Sequence, residues 1–151
     1  RDRDKEMIDG AKQNVEWALQ NNPTKSDYQI MTGDACNLEG SIPTKWHGKI
    51  SGIVLDPPYG RNSHGTHEHF DLIYNTIDSM RKVVSDKAKL VLIIPIKPNE
   101  SGDDIQLLHG DWGEFVGMIR SSGAEIINYW PEHVHASLAR LILLASIAPQ
   151  D

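Results

Sequence analysis

The chain has 151 residues, 39% hydrophobic and 24% charged, a balance that indicates a globular domain and excludes a disordered or fibrous chain. Its formal net charge of -6 argues against a stand-alone nucleic-acid-binding domain, which usually carries a basic stripe. The single cysteine, Cys36, excludes an intramolecular disulfide framework and favours a reducing, cytoplasmic setting. No apolar stretch reaches the roughly 18 residues of a membrane span, so no membrane association is expected.

Two helices and two strands are predicted in the first part of the chain. Apolar residues at helical spacing predict a helix over residues 4–20, with Asp4 as its N-cap. Residues 27–35 are typical of a short strand that opens into a loop at a Gly-Asp pair. The apolar run 49–55 predicts a strand covered on both faces, and residues 67–85 place their apolar side chains along one helical face.

The second part of the chain predicts one more helix among three strands. Residues 89–96 have the pattern of a strand buried on both faces, and a polar loop follows them. A capping pattern at Asp111 predicts the start of a helix that ends at Gly123. Residues 125–130 and 138–147 are the last two strands, and their closeness in sequence predicts an antiparallel hairpin. The alternation of elements therefore predicts an open, twisted α/β sheet with this hairpin at one edge.

Acidic residues stand where the predicted strands end. Asp34 ends the predicted strand that contains Ile30, and Asp56 directly follows the strand 49–55. Asp2 and Asp4 precede the first helix, at the place where a preceding strand would finish. Ligands of open α/β sheets bind beyond the carboxyl ends of the strands. A carboxylate at such a place accepts hydrogen bonds from a ribose diol or from an amino group.

The residues after the strand 49–55 are polar and conformationally rigid. Two consecutive prolines, Pro57 and Pro58, fix two φ angles and remove two backbone donors, which leaves carbonyl groups as acceptors. The first of them also holds Asp56 in an extended conformation. Tyr59 adds an aromatic face. Acceptors beside a stacking face fit a planar ring that carries an exocyclic amino group.

These residues resemble a known motif. Asp56-Pro57-Pro58-Tyr59 is similar to the (D/N)-P-P-Y motif of the class I S-adenosylmethionine-dependent methyltransferases that act on exocyclic amines. Three further segments resemble the archaeal and eukaryotic tRNA guanine-N2 methyltransferases, a THUMP-associated RNA methylase family: DRDKEMIDGAKQN (2–14), GDACNL (33–38) and VHASLARLI (134–142). The resemblance implies a Rossmann-like, mostly parallel sheet in a single, partial catalytic domain over residues 1–151. It also implies S-adenosyl-L-methionine as the cofactor.

The resemblance implies roles for individual residues. Asp2 is similar to the residue that grips the cofactor ribose, and Asp34, with Ala35 beside it, to the one that bonds the adenine amino group. Asp56 and the Pro57 carbonyl would bond the target amine, and stacking of the base would align its nitrogen with the methyl group. The implied catalytic residues are Asp56, Pro57, Pro58 and Tyr59; the implied binding residues are Asp2, Asp34, Ala35 and Asp56 for the cofactor and Tyr59, Gly60 and Arg61 for the substrate.

The predicted function is methylation of guanine N2 in tRNA, as part of tRNA processing. The same acceptors would serve adenine N6 in DNA or RNA, and a non-catalytic methyltransferase-like binding module is a further alternative. The family carries a strand and a glycine-rich loop before the position of Asp2, so the chain is expected to be the C-terminal part of a longer protein. The resemblance implies tRNA as the partner, an RNA-binding domain upstream and, for some relatives, a small zinc-containing activator subunit.

Histidines and two basic residues surround the motif. His64, His67 and His69 cluster in sequence, but no cysteine or second acidic cluster accompanies them. The segment is therefore interpreted as a solvated loop on the substrate side, and no metal site is predicted. Arg61 and Lys97 flank the proposed site and are the candidates for phosphate contacts.

Overall fold

The structure, a computed structural model, describes residues 2, 4–23, 25, 27–57, 65–98, 105–136 and 138–150, without the side chains of 65–68. Within these ranges the helices are α1 (Lys5–Asn21), α2 (Gly65–Arg81) and α3 (Trp112–Ser121), and the strands are β1 (Ile50–Leu55), β2 (Val84–Ile96), β3 (Ala124–His135) and β4 (Leu138–Ile147). Two short 3-10 helices lie at Ala35–Asn37 and Thr44–Trp46. No helix in the described part is both long and apolar enough to cross a membrane.

The four strands form one mixed sheet in the order β1-β2-β4-β3. β1 and β2 run parallel, and β4 runs antiparallel to both β2 and β3. The predicted α/β class and the predicted C-terminal hairpin are confirmed, with β3 at the edge of the sheet. Among the named strands the parallel part is the β1–β2 pair, so the sheet is mixed.

The core lies between the sheet and the helices α2 and α3. β4 alternates between buried and half-buried residues along its whole length, as a strand does when one face is covered. Each fully buried Leu or Ile side chain contributes about 1.5–3 kcal/mol through the area it removes from water. The largest fully buried side chains are Ile73, Ile77 and Met80 of α2, Phe115 and Ile119 of α3, Leu90 and Leu92 of β2, and Leu141, Leu143 and Ile147 of β4.

The second face of the sheet is only partly covered. Val54 of β1 is 72% exposed. Val91 of β2 pairs with Val54, Leu144 of β4 pairs with Val91, and both are half-buried. The prediction that the strand 49–55 is covered on both faces is therefore wrong in the described structure. β1 is an edge strand that pairs with β2 alone among the described strands, and its exposed side chains lie on the less covered face.

The segment predicted as a strand over residues 27–35 forms a single parallel bridge, between Thr32 and Asp2. The Gly33 amide donates a hydrogen bond to the Asp2 carbonyl oxygen (2.9 Å). A strand extends only as far as its partner does, and the described partner here is one residue long. The strand prediction is wrong in extent, although the pairing places the two segments side by side.

The helix boundaries follow from caps and from competition with the sheet. Asp4 and Asp111 cap α1 and α3, as predicted, because their side chains accept hydrogen bonds from first-turn amides. α2 ends at Arg81, not at the predicted residue 85. Lys82 and Val83 form a turn, and β2 follows, because Val84 is the first residue of the β1–β2 ladder.

Candidate functional site

Asp2 and Asp34 lie at the ends of two neighbouring extended segments. The bridge between Asp2 and Thr32 runs parallel, so both segments end in the same direction, and Asp34 comes two residues after Thr32. The side chain of Asp2 is exposed and that of Asp34 is half-buried. The structure therefore brings two of the three predicted acidic positions together.

The carboxylate of Asp2 is oriented by the start of α1. Its Oδ1 accepts a hydrogen bond from the Asp4 amide (2.8 Å), and the Asp4 Oδ1 in turn accepts one from the Glu6 amide (2.8 Å). The Asp2 and Asp4 side chains thus each accept a backbone amide at the start of the helix. A capping contact of this kind contributes about 1 kcal/mol to the stability of a helix. The Asp2 carboxylate is therefore tied to the start of α1.

Asp34 is held by a short helix that is anchored on α2. Its Oδ1 accepts a hydrogen bond from the Cys36 amide (2.9 Å) and so caps the 3-10 helix Ala35–Asn37. The Leu38 amide donates to Ser79 Oγ of α2 over 2.7 Å, and both residues are buried. This buried bond attaches the acidic turn to the core, so the position of Asp34 depends on packing as well as on its own turn.

Asp56 and Pro57 extend beyond the end of β1. Leu55, the last residue of β1, pairs with Leu92 in the parallel ladder, so the ladder positions the start of the motif. Asp56 is exposed and Pro57 is buried. The remaining predicted site residues, Pro58, Tyr59, Gly60 and Arg61, lie outside the described residues, and their roles stay predictions.

The segment 105–110 folds back over the carboxyl end of β2. The Lys97 amide donates to the Gln106 carbonyl (2.8 Å), the Leu108 amide donates to the Pro95 carbonyl (3.2 Å), and an antiparallel bridge joins Ile96 to Leu107. This return was not predicted from the sequence, in which the polar stretch after residue 96 indicates a loop. The signal for it is the apolar run at 105–108, which follows a polar stretch.

A cavity of about 400 Å³ lies beside this return, between the end of β2 and the start of α3. Lys97, Gln106, Asp111 and Trp112 are among its lining residues. Trp112 stacks on Phe115, with ring centroids 5.8 Å apart. Lys97, which the sequence predicts as a phosphate contact, therefore lies at an open cavity next to an aromatic ring.

His69 is a buried residue of α2. Its side chain is 6% exposed, and its ring centroid lies 5.8 Å from that of His109. Burial lowers the pKa of His69 below its ordinary value of 6.5, and the neighbouring His109 lowers it further. The prediction of a solvated histidine loop is wrong for this residue, because the helix turns His69 to the same side as the fully buried Ile73, four residues later.

Comparison with known proteins gives a family and a fold. Residues 1–100, more than half of the chain, match the family model UPF0020, an RMKL-like methyltransferase domain. A search of curated proteins finds no match.

Three solved structures are similar in fold. An S-adenosylmethionine-dependent methyltransferase of Methanosarcina mazei is 12% identical with a TM-score of 0.64, over 99% of this chain and 81% of that one. A candidate DNA modification methylase of Thermus thermophilus, in complex with S-adenosyl-L-methionine, is 16% identical with a TM-score of 0.51, over 79% and 52%. TrmN of Thermus thermophilus is 11% identical with a TM-score of 0.60, over 97% and 35%.

At these sequence identities the structural likeness establishes a Rossmann-like methyltransferase fold, but not a substrate or a target atom. The chain spans about half of the Thermus methylase and a smaller share of TrmN. The family match covers the paired acidic ends, the strand β1 and the motif that begins at Asp56. This chain belongs to the RMKL-like methyltransferase-domain family.

Proposed function

We propose that this chain is the catalytic part of a methyltransferase that acts on an exocyclic amine of a nucleobase, with guanine N2 of tRNA as the target. The observation that carries the proposal is the pairing of the Asp2 and Asp34 strand ends in a domain whose β1 leads into Asp56-Pro57. S-adenosyl-L-methionine is the cofactor of this methyltransferase fold. The choice of tRNA and guanine rests on the sequence resemblance.

The residues at the paired ends suit the nucleoside part of the cofactor. Ribose hydroxyls and an adenine amino group are donors, and carboxylates are acceptors only. The exposed Asp2 carboxylate would accept from the ribose, and Asp34 from the amino group, with the small Ala35 leaving room for a flat ring. When bound, S-adenosyl-L-methionine supplies a methyl group on a positively charged sulfur, which makes that carbon electrophilic.

The residues at the end of β1 would act on the substrate amine. The lone pair of an exocyclic nitrogen is delocalised into the ring, so the amine is a weak nucleophile. Hydrogen bonds from its two N–H groups to the Asp56 carboxylate and the Pro57 carbonyl favour a tetrahedral nitrogen, whose lone pair is localised. As the N–C bond formed, the bond from the methyl carbon to sulfur would break and leave a neutral thioether, and one amine proton would pass through Asp56 to solvent. Tyr59 would hold the base by stacking.

The charge of the chain bears on how a nucleic acid would be held. With a net charge of -6, this domain supplies little of the phosphate attraction that tRNA binding requires. Lys97 at the cavity beside Trp112 is the described candidate for a phosphate contact. We infer that most of the affinity for tRNA comes from an upstream RNA-binding domain or a small activator subunit. We also propose that the protein is cytoplasmic.

A methyl-transfer assay tests the proposal. S-adenosyl-L-methionine with a labelled methyl group is incubated with unmodified tRNA and with DNA and RNA oligonucleotides, and the methylated nucleoside is identified by mass spectrometry. The expected product is N2-methylguanosine in tRNA. Asp56→Ala should abolish transfer, and Asp56→Asn, which keeps one acceptor oxygen, should retain part of it.

The matched control is Asp9→Ala, an exposed acid of α1 that forms an ion pair with Lys12 (3.8 Å). It should transfer methyl groups at the wild-type rate. Methylation of adenine N6 in DNA or RNA, and not of guanine, would overturn the choice of guanine N2 and favour the alternative target. Binding of nucleic acid without transfer to any base would overturn the enzymatic proposal and favour a binding module.

A further inference from the structure

The contact between His69 and His109 joins two parts of the chain at the carboxyl end of β2. His69 lies in α2, the helix that precedes β2, and His109 lies in the segment 105–110 that returns over β2. The two ring centroids are 5.8 Å apart. The return itself is held by two backbone hydrogen bonds and one bridge, described above, so side-chain contacts beneath it matter for its stability.

The space around the two rings is apolar and nearly dry. A cavity of about 10 Å³ separates them from their neighbours, room for at most about one water molecule. Its other lining residues are Phe70, Ile94, Pro95, Leu107 and Phe115. A positive charge on the buried His69 ring would therefore receive little solvation, and charges on both rings would repel each other.

No charged group of the surrounding elements faces this cavity among the described residues. Charged residues on the packed elements lie outside the cavity lining: Asp71 of α2, Lys97 after β2, Asp111 and Glu114 at the start of α3, and Arg140 of β4, which pairs with Pro95. The first four are exposed and Arg140 is half-buried. The Asp111 carboxylate is already engaged, because it accepts the amides of Gly113 (2.7 Å) and Glu114 (3.1 Å). A second proton on the pair thus has no described counter-charge.

We propose that His69 and His109 form a proton-dependent latch that holds the segment 105–110 over the carboxyl end of β2 when the pair carries at most one proton. A second proton makes the two rings repel, and the segment opens so that both imidazolium groups reach water. Opening changes the end of the sheet beside Lys97 and next to Asp56. The consequence for methyl transfer rests on the proposed function, whereas the latch itself does not.

Amide hydrogen exchange against pH tests the latch without substrate or cofactor. The reporters are the Lys97 and Leu108 amides, whose hydrogen bonds hold the return, with the Leu92 amide in the core as reference. Protection factors correct for the intrinsic pH dependence of exchange. Protection of the reporters should be constant above about pH 6.5 and should fall by up to about tenfold per pH unit below it, since opening then binds one extra proton.

The test variant is His109→Gln, which keeps a polar side chain but cannot be charged, and the control is His133→Gln on the exposed edge of β3. His109→Gln should reduce the slope at Lys97 and Leu108, because only the burial of His69 then opposes its protonation, and His133→Gln should keep the wild-type slope. An unchanged core protection at Leu92 shows that either variant is folded. The same slope in His109→Gln and in wild type, or protection of the reporters that is independent of pH in wild type, would overturn the latch whatever the outcome of the methyl-transfer assay.

Discussion

Gly117→Ala and Gly123→Ala, two substitutions of the same kind six residues apart, should change the free energy of unfolding in opposite directions. Gly117 is an exposed interior residue of α3, and a Cβ there meets no atom within 4 Å. Alanine is a better helix former than glycine by about 0.8–1 kcal/mol, so Gly117→Ala should stabilise the protein by up to that amount. In a chain of this size, this corresponds to a rise in Tm of about 2–4 °C.

Gly123 follows α3 with a φ of +85°, a conformation that costs an L-residue with a Cβ about 1–2 kcal/mol. A Cβ there would also lie 2.6 Å from Cζ of Arg81. Arg81 Nε donates to the Ala148 carbonyl (3.1 Å), and displacing this charged hydrogen bond adds about 1 kcal/mol because the site is partly solvated. Gly123→Ala should therefore destabilise the protein by about 2–3 kcal/mol in total.

Urea unfolding of both variants, followed by circular dichroism, measures the difference. In a double-mutant cycle, Arg81→Ala with Gly123→Ala should cost less than the sum of the two single changes, because the clash exists only when both groups are present. Additive costs would show that the Cβ and the guanidinium do not meet. A Gly123→Ala variant as stable as wild type would refute the reasoning about the turn.

Three further outcomes follow from the described contacts. The pKa of His69 is lowered in the folded protein, so the unfolded chain binds this proton more readily. The free energy of unfolding should therefore be highest above pH 6.5 and decrease below it. In His69→Gln, the urea midpoint should depend less on pH. Ser79→Ala leaves the buried Leu38 amide without its described acceptor and should lower the unfolding free energy by about 1–3 kcal/mol. Leu92→Ala should cost about 2–5 kcal/mol, and Val54→Thr on the exposed face less than about 0.5 kcal/mol, both read from denaturant midpoints.

The local features of the fold could be predicted from the sequence. The caps at Asp4 and Asp111 use side chains that bond amides two residues ahead, so a short stretch of sequence determines them. The strand over residues 138–147 is likewise predicted from its own apolar run, and β4 has those bounds. Both predictions needed no knowledge of distant residues, and both are confirmed.

The features that depend on partners far along the chain could not be predicted. Residues 27–35 have a strand pattern, but the pairing extends only to Thr32 because the described partner is Asp2 alone. An apolar run does not say which of its faces a sheet will leave open, and Val54 is exposed for that reason. The return of 105–110 over β2 brings His109 to His69, a contact across forty residues that no local pattern indicates.

The candidate site divides in the same way. The acids at the segment ends were predicted from the sequence, and the bridge between Asp2 and Thr32 places the first two side by side. The anchor of Asp34 on α2, through Leu38 and Ser79, was not predicted because a hydroxyl that accepts a distant amide leaves no local signal. The roles of the motif residues after Pro57 stay predictions.

The measurement that tests the central claim most directly is calorimetric binding of S-adenosyl-L-methionine to the wild-type chain, to Asp34→Ala and to the control Asp9→Ala. Loss of one hydrogen bond to a charged acceptor costs about 1.5–3 kcal/mol, so Asp34→Ala should raise the Kd by about 10- to 100-fold. Asp9→Ala should bind as wild type does, since its ion pair with Lys12 is solvent-exposed. Equal affinities of wild type and Asp34→Ala, or no binding by any of the three, would contradict a cofactor site at the paired Asp2 and Asp34 ends.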